Sequence, residues 1–226
     1  MIPSPRPRAI LFDMDGLLLD TERLVRDAIL ESAAYHGYPM DEALFLQLVG
    51  VPIDGNRRIL RAVFGEAFPF DCYRTRYEDR LQARITCEGL PLKPGAAELV
   101  DHARAGGLPI AVATSTNRAQ ARHHLGLAGL LEKLDRLVAR EDVANPKPHP
   151  EPYLMAAAAL RVDPAACLAL EDSANGARSA LAAGMRVIVV PDLQPPPPDV
   201  ASGCLAIAAD LHEVRGWLAA VFAEAA

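Results

Sequence analysis

Short apolar runs, each ended abruptly by a polar or acidic turn, recur along this chain with stretches of helical spacing between them. The first is Ala9-Ile10-Leu11-Phe12, cut off by Asp13-Met14-Asp15-Gly16. Others cover 108–114, 134–139, 167–170 and 185–190, with a weaker one at 204–208. A brief apolar run bounded by a turn signal reads as a strand buried on both faces. The segments 96–105, 117–125, 151–160 and 173–183 place apolar residues at helical intervals and begin at or just after Ser, Asn, Pro or Gly. Gly106-Gly107 and Gly184 close the first and last of them, the usual punctuation of a helix end. From residue 93 onward strand and helix therefore alternate, which predicts an α/β fold: a parallel sheet covered by helices on both faces.

Residues 17–92 break that rhythm. They hold no strand run, only helical patterning at 22–35, 41–48, 56–63 and 70–85. Some four helices behind the first strand predict a separate helical domain over 17–92, leaving 1–16 and 93–226 as the sheet-bearing core. The connectors fall near 16–20 and 88–95. The run Pro195-Pro196-Pro197-Pro198 can continue neither a helix nor a central strand and is expected as a surface loop.

Charge and cysteine usage narrow the function. The chain carries 23 Lys plus Arg against 29 Asp plus Glu, a net charge of −6, and has no basic run, which argues against clamping a nucleic-acid backbone. Cys72, Cys87, Cys167 and Cys204 lie far apart with no Cys-x-x-Cys, so neither a disulfide framework nor a zinc site is indicated. Cys167 and Cys204 sit in apolar runs as small core residues. The apolar stretch behind the basic residues near the N-terminus breaks at Asp13, too short for a secretion signal. No run approaches the roughly 18 residues of a membrane span. The expectation is a cytoplasmic, monomeric protein without membrane or nucleic-acid partners.

The chemistry gathers where the strand runs end. Asp13 and Asp15 are two residues apart, so in extended backbone both carboxylates face one side. Either could instead cap a following helix. Gly16 permits a sharp turn and leaves room for a ligand. Glu171-Asp172 ends the 167–170 run, and Asp172 reads as a helix cap or as a metal ligand. Two strands of one sheet ending in paired acids bring four carboxylates together. At ~4 Å and an effective dielectric of ~20 each like-charged pair costs about 4 kcal/mol, which a hard divalent cation relieves. Oxygen ligands without His or Cys suit Mg2+. Thr114, ahead of Ser115-Thr116-Asn117, can offer a hydroxyl and helix-terminal N–H groups to an anion, although Ser115 or Thr116 can equally serve as a cap. Lys147 is held between Pro146 and Pro148, which positions an ammonium suited to a phosphoryl group. His149 reads as structural, and His36, His102, His123, His124 and His212 as surface residues.

Asp13-Met14-Asp15-Gly16-Leu17-Leu18-Leu19-Asp20-Thr21-Glu22, Thr114, Lys147-Pro148 and Glu171-Asp172-Ser173 resemble, in order and spacing, the four motifs of the haloacid dehalogenase superfamily. The likeness runs from residue 9 to about 190. It points to the subgroup with a helical cap inserted after the first motif, which includes β-phosphoglucomutase and sugar-phosphate phosphatases. The resemblance implies a Rossmann-like, doubly wound core, a mobile cap over 17–92, Mg2+ as cofactor and phosphoryl transfer through an aspartyl-phosphate. On that pattern Asp13 is the nucleophile and Asp15 the general acid and base. Thr114, the Ser115 amide and Lys147 stabilise the transferring oxygens. The metal is held by Asp13, the Asp15 carbonyl and Asp172, with Glu171 in or beside the first shell. Candidate substrate contacts are Gly16, Ser115, Thr116, Asn117 and Arg118 in the core. In the cap they are Glu22 and Arg57, with Arg23, Asn56 and Arg58 nearby.

Asp15 argues against dehalogenation, since a departing halide needs no proton. The lysine-dependent phosphonatase branch is excluded because 17–92 contains no lysine. In the mutase subgroup a cap His and an Arg after a cap Gly bind the sugar and its second phosphate. Here Val25 stands at the His position, and Ile53 stands near the Arg position after Gly50, with Arg57 and Arg58 slightly later. That favours hydrolysis of a small phosphorylated metabolite over a phosphosugar mutase. A receiver-like phospho-acceptor domain would leave both the helical insertion and Asp15 unexplained.

Overall fold

The computed structural model describes residues 6–49, 51 and 53–224. Residues 1–5, where the secretion-signal reading begins, and Gly50 of the cap comparison lie outside the described residues. The chain divides into two compact units, one built from the segment up to Asp20 together with Leu90 onward, the other spanning Thr21–Gly89.

The larger unit is organised by six parallel strands: β1 (Ala9–Phe12), β2 (Ile110–Ala113), β3 (Arg136–Val138), β4 (Cys167–Glu171), β5 (Arg186–Val189) and β6 (Ala206–Ile207). Their order is β3-β2-β1-β4-β5-β6, with every pair parallel. The chain builds outward from β1 through β2 to β3, then crosses back to β4 on the other side. The switch point therefore lies between β1 and β4, and in such sheets the crevice beyond the carboxyl ends of the strands there is where ligands bind.

The smaller unit holds α1 (Thr21–Tyr35), α2 (Glu42–Leu48), α3 (Ile53–Phe64) and α4 (Phe70–Glu88). Phe68 anchors it, with the rings of Tyr38, Phe64, Phe70 and Tyr73 within 6.5 Å of its own. Arg80 and Arg84 of α4 both pair with Glu31 of α1.

In the larger unit α5 (Ala96–Ala105), α6 (Arg118–Leu127), α7 (Glu151–Leu160), α8 (Ala174–Ala182), α9 (Pro198–Ala201) and α10 (Leu211–Glu224) cover the sheet. Alternation along the strands sorts the core into two layers. Ile10, Phe12, Ile110, Val112, Leu168, Leu170 and Ile188 face α5, α6 and α10. Ala9, Leu11, Ala111, Ala113, Ala169, Val187 and Val189 face α7 and α8. Four of those named on the second face are alanines opposite Ala156, Ala157, Ala177 and Ala180, so those helices can pack close to the sheet.

Three expectations need correction. Leu17, Leu18 and Leu19 are fully buried with Ile10 and Phe12, so residues 17–20 and 90–92 belong to the larger unit and the helical unit is 21–89, not 17–92. Pro198 begins the short α9, since a proline at the first helical position lacks only an N–H that would have no partner there anyway. His124 is buried rather than on the surface. In addition α10, which the pattern reading above does not reach, buries Leu211, Val214, Leu218 and Val221 at three- and four-residue intervals. Among the described residues no helix is long and apolar enough to cross a membrane.

Candidate active site

Pairing of β1 with β4 continues one step past Phe12↔Leu170, where the Asp13 N–H donates to the Leu170 carbonyl at 3.0 Å. The ladder itself thus sets Asp13 beside Glu171. The chain then turns back: the Gly16 N–H donates to the Leu19 carbonyl, and the Leu18 and Leu19 N–H groups donate to Met14. Burial of the three leucines drives this turn, and Gly16 makes it with a φ of +83°. A Cβ on Gly16 would sit 2.4 Å from Asp172 Oδ2, so glycine is required here both by the backbone and by the approach of that carboxylate.

Lys147, on the loop between β3 and α7, reaches into the same crevice. Its Nζ donates to Asp13 Oδ1 at 2.5 Å and to Glu171 Oε1 at 2.6 Å, and the side chain is only 6% exposed. Glu171 is fully buried and accepts a further hydrogen bond on Oε1 from the Tyr153 hydroxyl at 2.6 Å. Its Oε2 takes a longer one from Ser173 Oγ at 3.2 Å. One ammonium therefore stands between two buried carboxylates. Burial pushes the Asp13 carboxyl upward, with Lys147 pulling it down and Glu171 adding to the push. Burial alone would favour a neutral Lys147, but Asp13 and Glu171 outweigh it and hold the ammonium charged. Burial and the Glu171 charge keep the Tyr153 phenol neutral and able to donate.

Among the described residues Asp13, Glu171 and Asp172 each offer a carboxylate oxygen within 4.8 Å of the other two. An all-oxygen donor set of this kind fits a hard cation such as Mg2+. Other residues take the helix-capping roles. Ser173 caps α8 by accepting from the Gly176 N–H at 3.1 Å, so the cap is not Asp172. No helix follows Asp13 and Asp15 until Thr21. Asn117 caps α6 by accepting from the Gln120 N–H at 2.9 Å, which leaves Ser115 and Thr116 out of that role.

Thr114 is buried at the end of β2, and its Oγ1 accepts from the Thr116 N–H at 3.0 Å. The Thr116 hydroxyl donates to Asp15 Oδ2 at 2.6 Å, tying the second acid to the β2 loop. Ser115 is exposed between them. Arg118 is engaged elsewhere: its N–H donates to Glu141 and its guanidinium to Asp142. Arg57 pairs with Asp71 at 2.8 Å and lies over the Phe70 ring, inside the helical unit. Glu22 stands in the first turn of α1, Val25 is half-buried on the same helix, and Ile53 opens α3.

Two contributors escape sequence reasoning. Tyr153 sits on α7 in a run that reads as plain helix, its one signal being a hydroxyl-bearing ring among alanines and leucines. Gly176 lies in the first turn of α8, where a Cβ would come within 2.0 Å of the Glu171 carboxylate.

A family model described as haloacid dehalogenase-like hydrolase matches residues 7–184. Hexitol phosphatase B of Escherichia coli strain K12 is 36% identical over 193 residues, covering 82% of this chain and 85% of that protein. The phosphorylated carbohydrates phosphatase of Thermotoga maritima is 32% identical over 180 residues, covering 80% and 83%. Among solved structures, CbbY from Rhodobacter sphaeroides in complex with phosphate superposes with a TM-score of 0.75 at 32% identity, covering 92% of this chain and 96% of that one.

Proposed function

The chain belongs to the haloacid dehalogenase-like hydrolases, and we propose that it is a Mg2+-dependent phosphatase that hydrolyses the phosphate monoester of a small sugar or sugar alcohol through a phosphorylated Asp13. The observation that carries this reading is the Lys147 ammonium clamped between Asp13 and Glu171 at the switch point, with Asp172 close enough to share a cation. The phosphatases named among its relatives support a phosphorylated carbohydrate as substrate.

The Asp13 and Asp172 carboxylates and the Asp15 carbonyl would hold Mg2+, with Glu171 alongside. Bound there, the ion would neutralise the converging carboxylates and draw charge from a phosphoryl oxygen. An Asp13 carboxylate oxygen attacks phosphorus in line as the ester P–O bond breaks. Asp15, steadied by the Thr116 hydroxyl, gives its proton to the departing alcohol oxygen. It then takes a proton from water, whose oxygen bonds phosphorus as the Asp13–phosphorus bond breaks, releasing inorganic phosphate. Thr114 Oγ1 already accepts from the Thr116 N–H, so its own proton remains to donate to a phosphoryl oxygen. Lys147 adds positive charge where negative charge gathers on the transferring group.

The test is phosphate release from a panel of hexose, hexitol and pentose phosphates, phosphoglycolate and nucleotides, with Mg2+ and after chelation by EDTA. Asp13→Asn is expected to lose at least about a thousandfold in kcat while keeping its fold. Retention of a tenth of the activity by that variant refutes the nucleophile. Isomerisation of a hexose monophosphate without release of phosphate would mark a mutase instead.

A further inference from the structure

Asp192 lies three residues past the end of β5, on the same edge of the sheet as Glu171 and Asp172. The Val190 N–H donates to the Glu171 carbonyl at 2.7 Å, so the exit of β5 is fastened to the exit of β4. The Asp192 side chain is 10% exposed, and its two oxygens differ sharply. Oδ1 accepts from Lys93 Nζ at 2.6 Å. Oδ2 is buried and has no hydrogen-bond partner among the described residues. That second oxygen faces the acidic cluster: a Cβ placed on Gly16 would lie 2.4 Å from Asp172 Oδ2 and 3.2 Å from Asp192 Oδ2. Lys93 is itself pinned, its N–H donating to the Leu18 carbonyl in the turn behind Gly16 and its ammonium lying 3.9 Å from Asp20.

A buried carboxylate oxygen turned toward a second carboxylate, with no donor on it, is an arrangement that needs a proton donor or a cation. Lys93 cannot supply it, being engaged on the other oxygen. Mg2+ characteristically keeps several of its waters, and those waters need acceptors. Resting on the metal reading above, we propose that Asp192 is the outer wall of the cation site: its Oδ1 is occupied by Lys93, and Oδ2 accepts a hydrogen bond from a water carried by the ion bound at Asp172. Asp192 acts through that water and is a positioning residue.

The experiment measures binding of Mn2+, as a spin-active substitute for Mg2+, to the purified full chain by the loss of its free-ion resonance, in the absence of any substrate. Wild type is expected to bind and Asp172→Asn to lose binding. If wild type does not bind, the metal reading itself fails. Given binding, Asp192→Asn is expected to weaken it by about tenfold or more, as loss of an outer-shell partner does. Lys93→Met is expected to leave affinity unchanged or tighten it, because it removes a positive charge near the ion. The opposite responses separate the proposal from a purely structural ion pair, in which both substitutions would act alike. Should Asp192→Asn not fold, Lys93→Met/Asp192→Ser, which removes the pair together, is compared with Lys93→Met alone and is expected to show the same loss. A change under threefold in the Asp192 variant, or an equal loss in Lys93→Met, overturns the proposal while leaving the metal site standing.

Discussion

Gly176→Ala ought to stabilise this protein on helix propensity alone. Gly176 is in the first turn of α8, and alanine gains at most about 1 kcal/mol over glycine in a helix. The structure reverses the sign. The new methyl would lie 1.9 Å from Glu171 Oε1 and 2.0 Å from its Cδ and Oε2. A carboxylate at the end of a flexible side chain could ordinarily swing away, but this one is fully buried and held on Oε1 by both Lys147 and Tyr153. Making room means giving up those two hydrogen bonds, each worth about 1.5–3 kcal/mol because the acceptor is charged. Set against the helix gain, the net loss is about 2–5 kcal/mol. Urea unfolding followed by circular dichroism should show a lower midpoint with an unchanged slope. Phosphate release should fall as well, because Lys147 loses one of its two anchors. A variant as stable as wild type would show that the Glu171 carboxylate moves without cost and is not what positions Lys147.

Lys147→Met should cost about 3–5 kcal/mol of stability before any metal is added, since two buried carboxylates would lose the ammonium between them. Mg2+ should restore part of that loss in a thermal melt, and a variant as stable as wild type without metal would count against a charged pair. Asn117→Ala should lose about 1 kcal/mol by urea titration through loss of the α6 cap, whereas Asn117→Asp should keep it. Neither should change KM if capping is what Asn117 does. Burial holds the His124 imidazole below its ordinary value of 6.5, against the opposing charge of Asp15 and with His123 adding to the depression. The unfolded chain takes up that proton first, so this contribution to stability is complete above pH 6.5 and is lost as pH falls toward the folded value. Comparing urea midpoints above and below pH 6.5, wild type should lose more on acidification than His124→Gln, and parallel losses would refute the assignment.

What could be read from the chain follows from how local each feature is. The strand ends at Phe12, Ala113 and Glu171 were visible because an apolar run stopping at an acid or hydroxyl is a pattern within a few residues. The crevice acids followed once the sheet was taken as parallel. Tyr153 and Gly176 were not visible, because both matter only through Glu171, and the α7 and α8 packing that brings them to it is a property of the assembled sheet. The boundary at 17–20 is hidden in the sequence for a related reason. Leu17, Leu18 and Leu19 read equally well as the start of a helix, and only their burial beside Ile10 and Phe12 assigns them to the larger unit. His124 resembled a surface residue since its neighbour His123 is one: adjacent helical positions point about 100° apart, and the α6 register decides which of the two turns inward.

Whether each polar residue after a strand serves the backbone or a ligand is a question the sequence leaves open, since a helix N-terminus needs an acceptor in either case. The structure answers it by division of labour one residue apart. Ser173 satisfies the first turn of α8 and Asn117 that of α6, so the groups immediately before them, Asp172 and the Thr114–Thr116 loop, need not. A cap is strictly local and tolerates Ser, Asn or Asp alike, whereas a cation or phosphoryl group demands a fixed approach from several strands at once. Adjacent placement lets a short neutral side chain meet the first demand while the end of the sheet meets the second. At Glu171-Asp172-Ser173 the cap is Ser173, which leaves the Asp172 carboxylate within 4.8 Å of Asp13 and Glu171, where the three could share a cation.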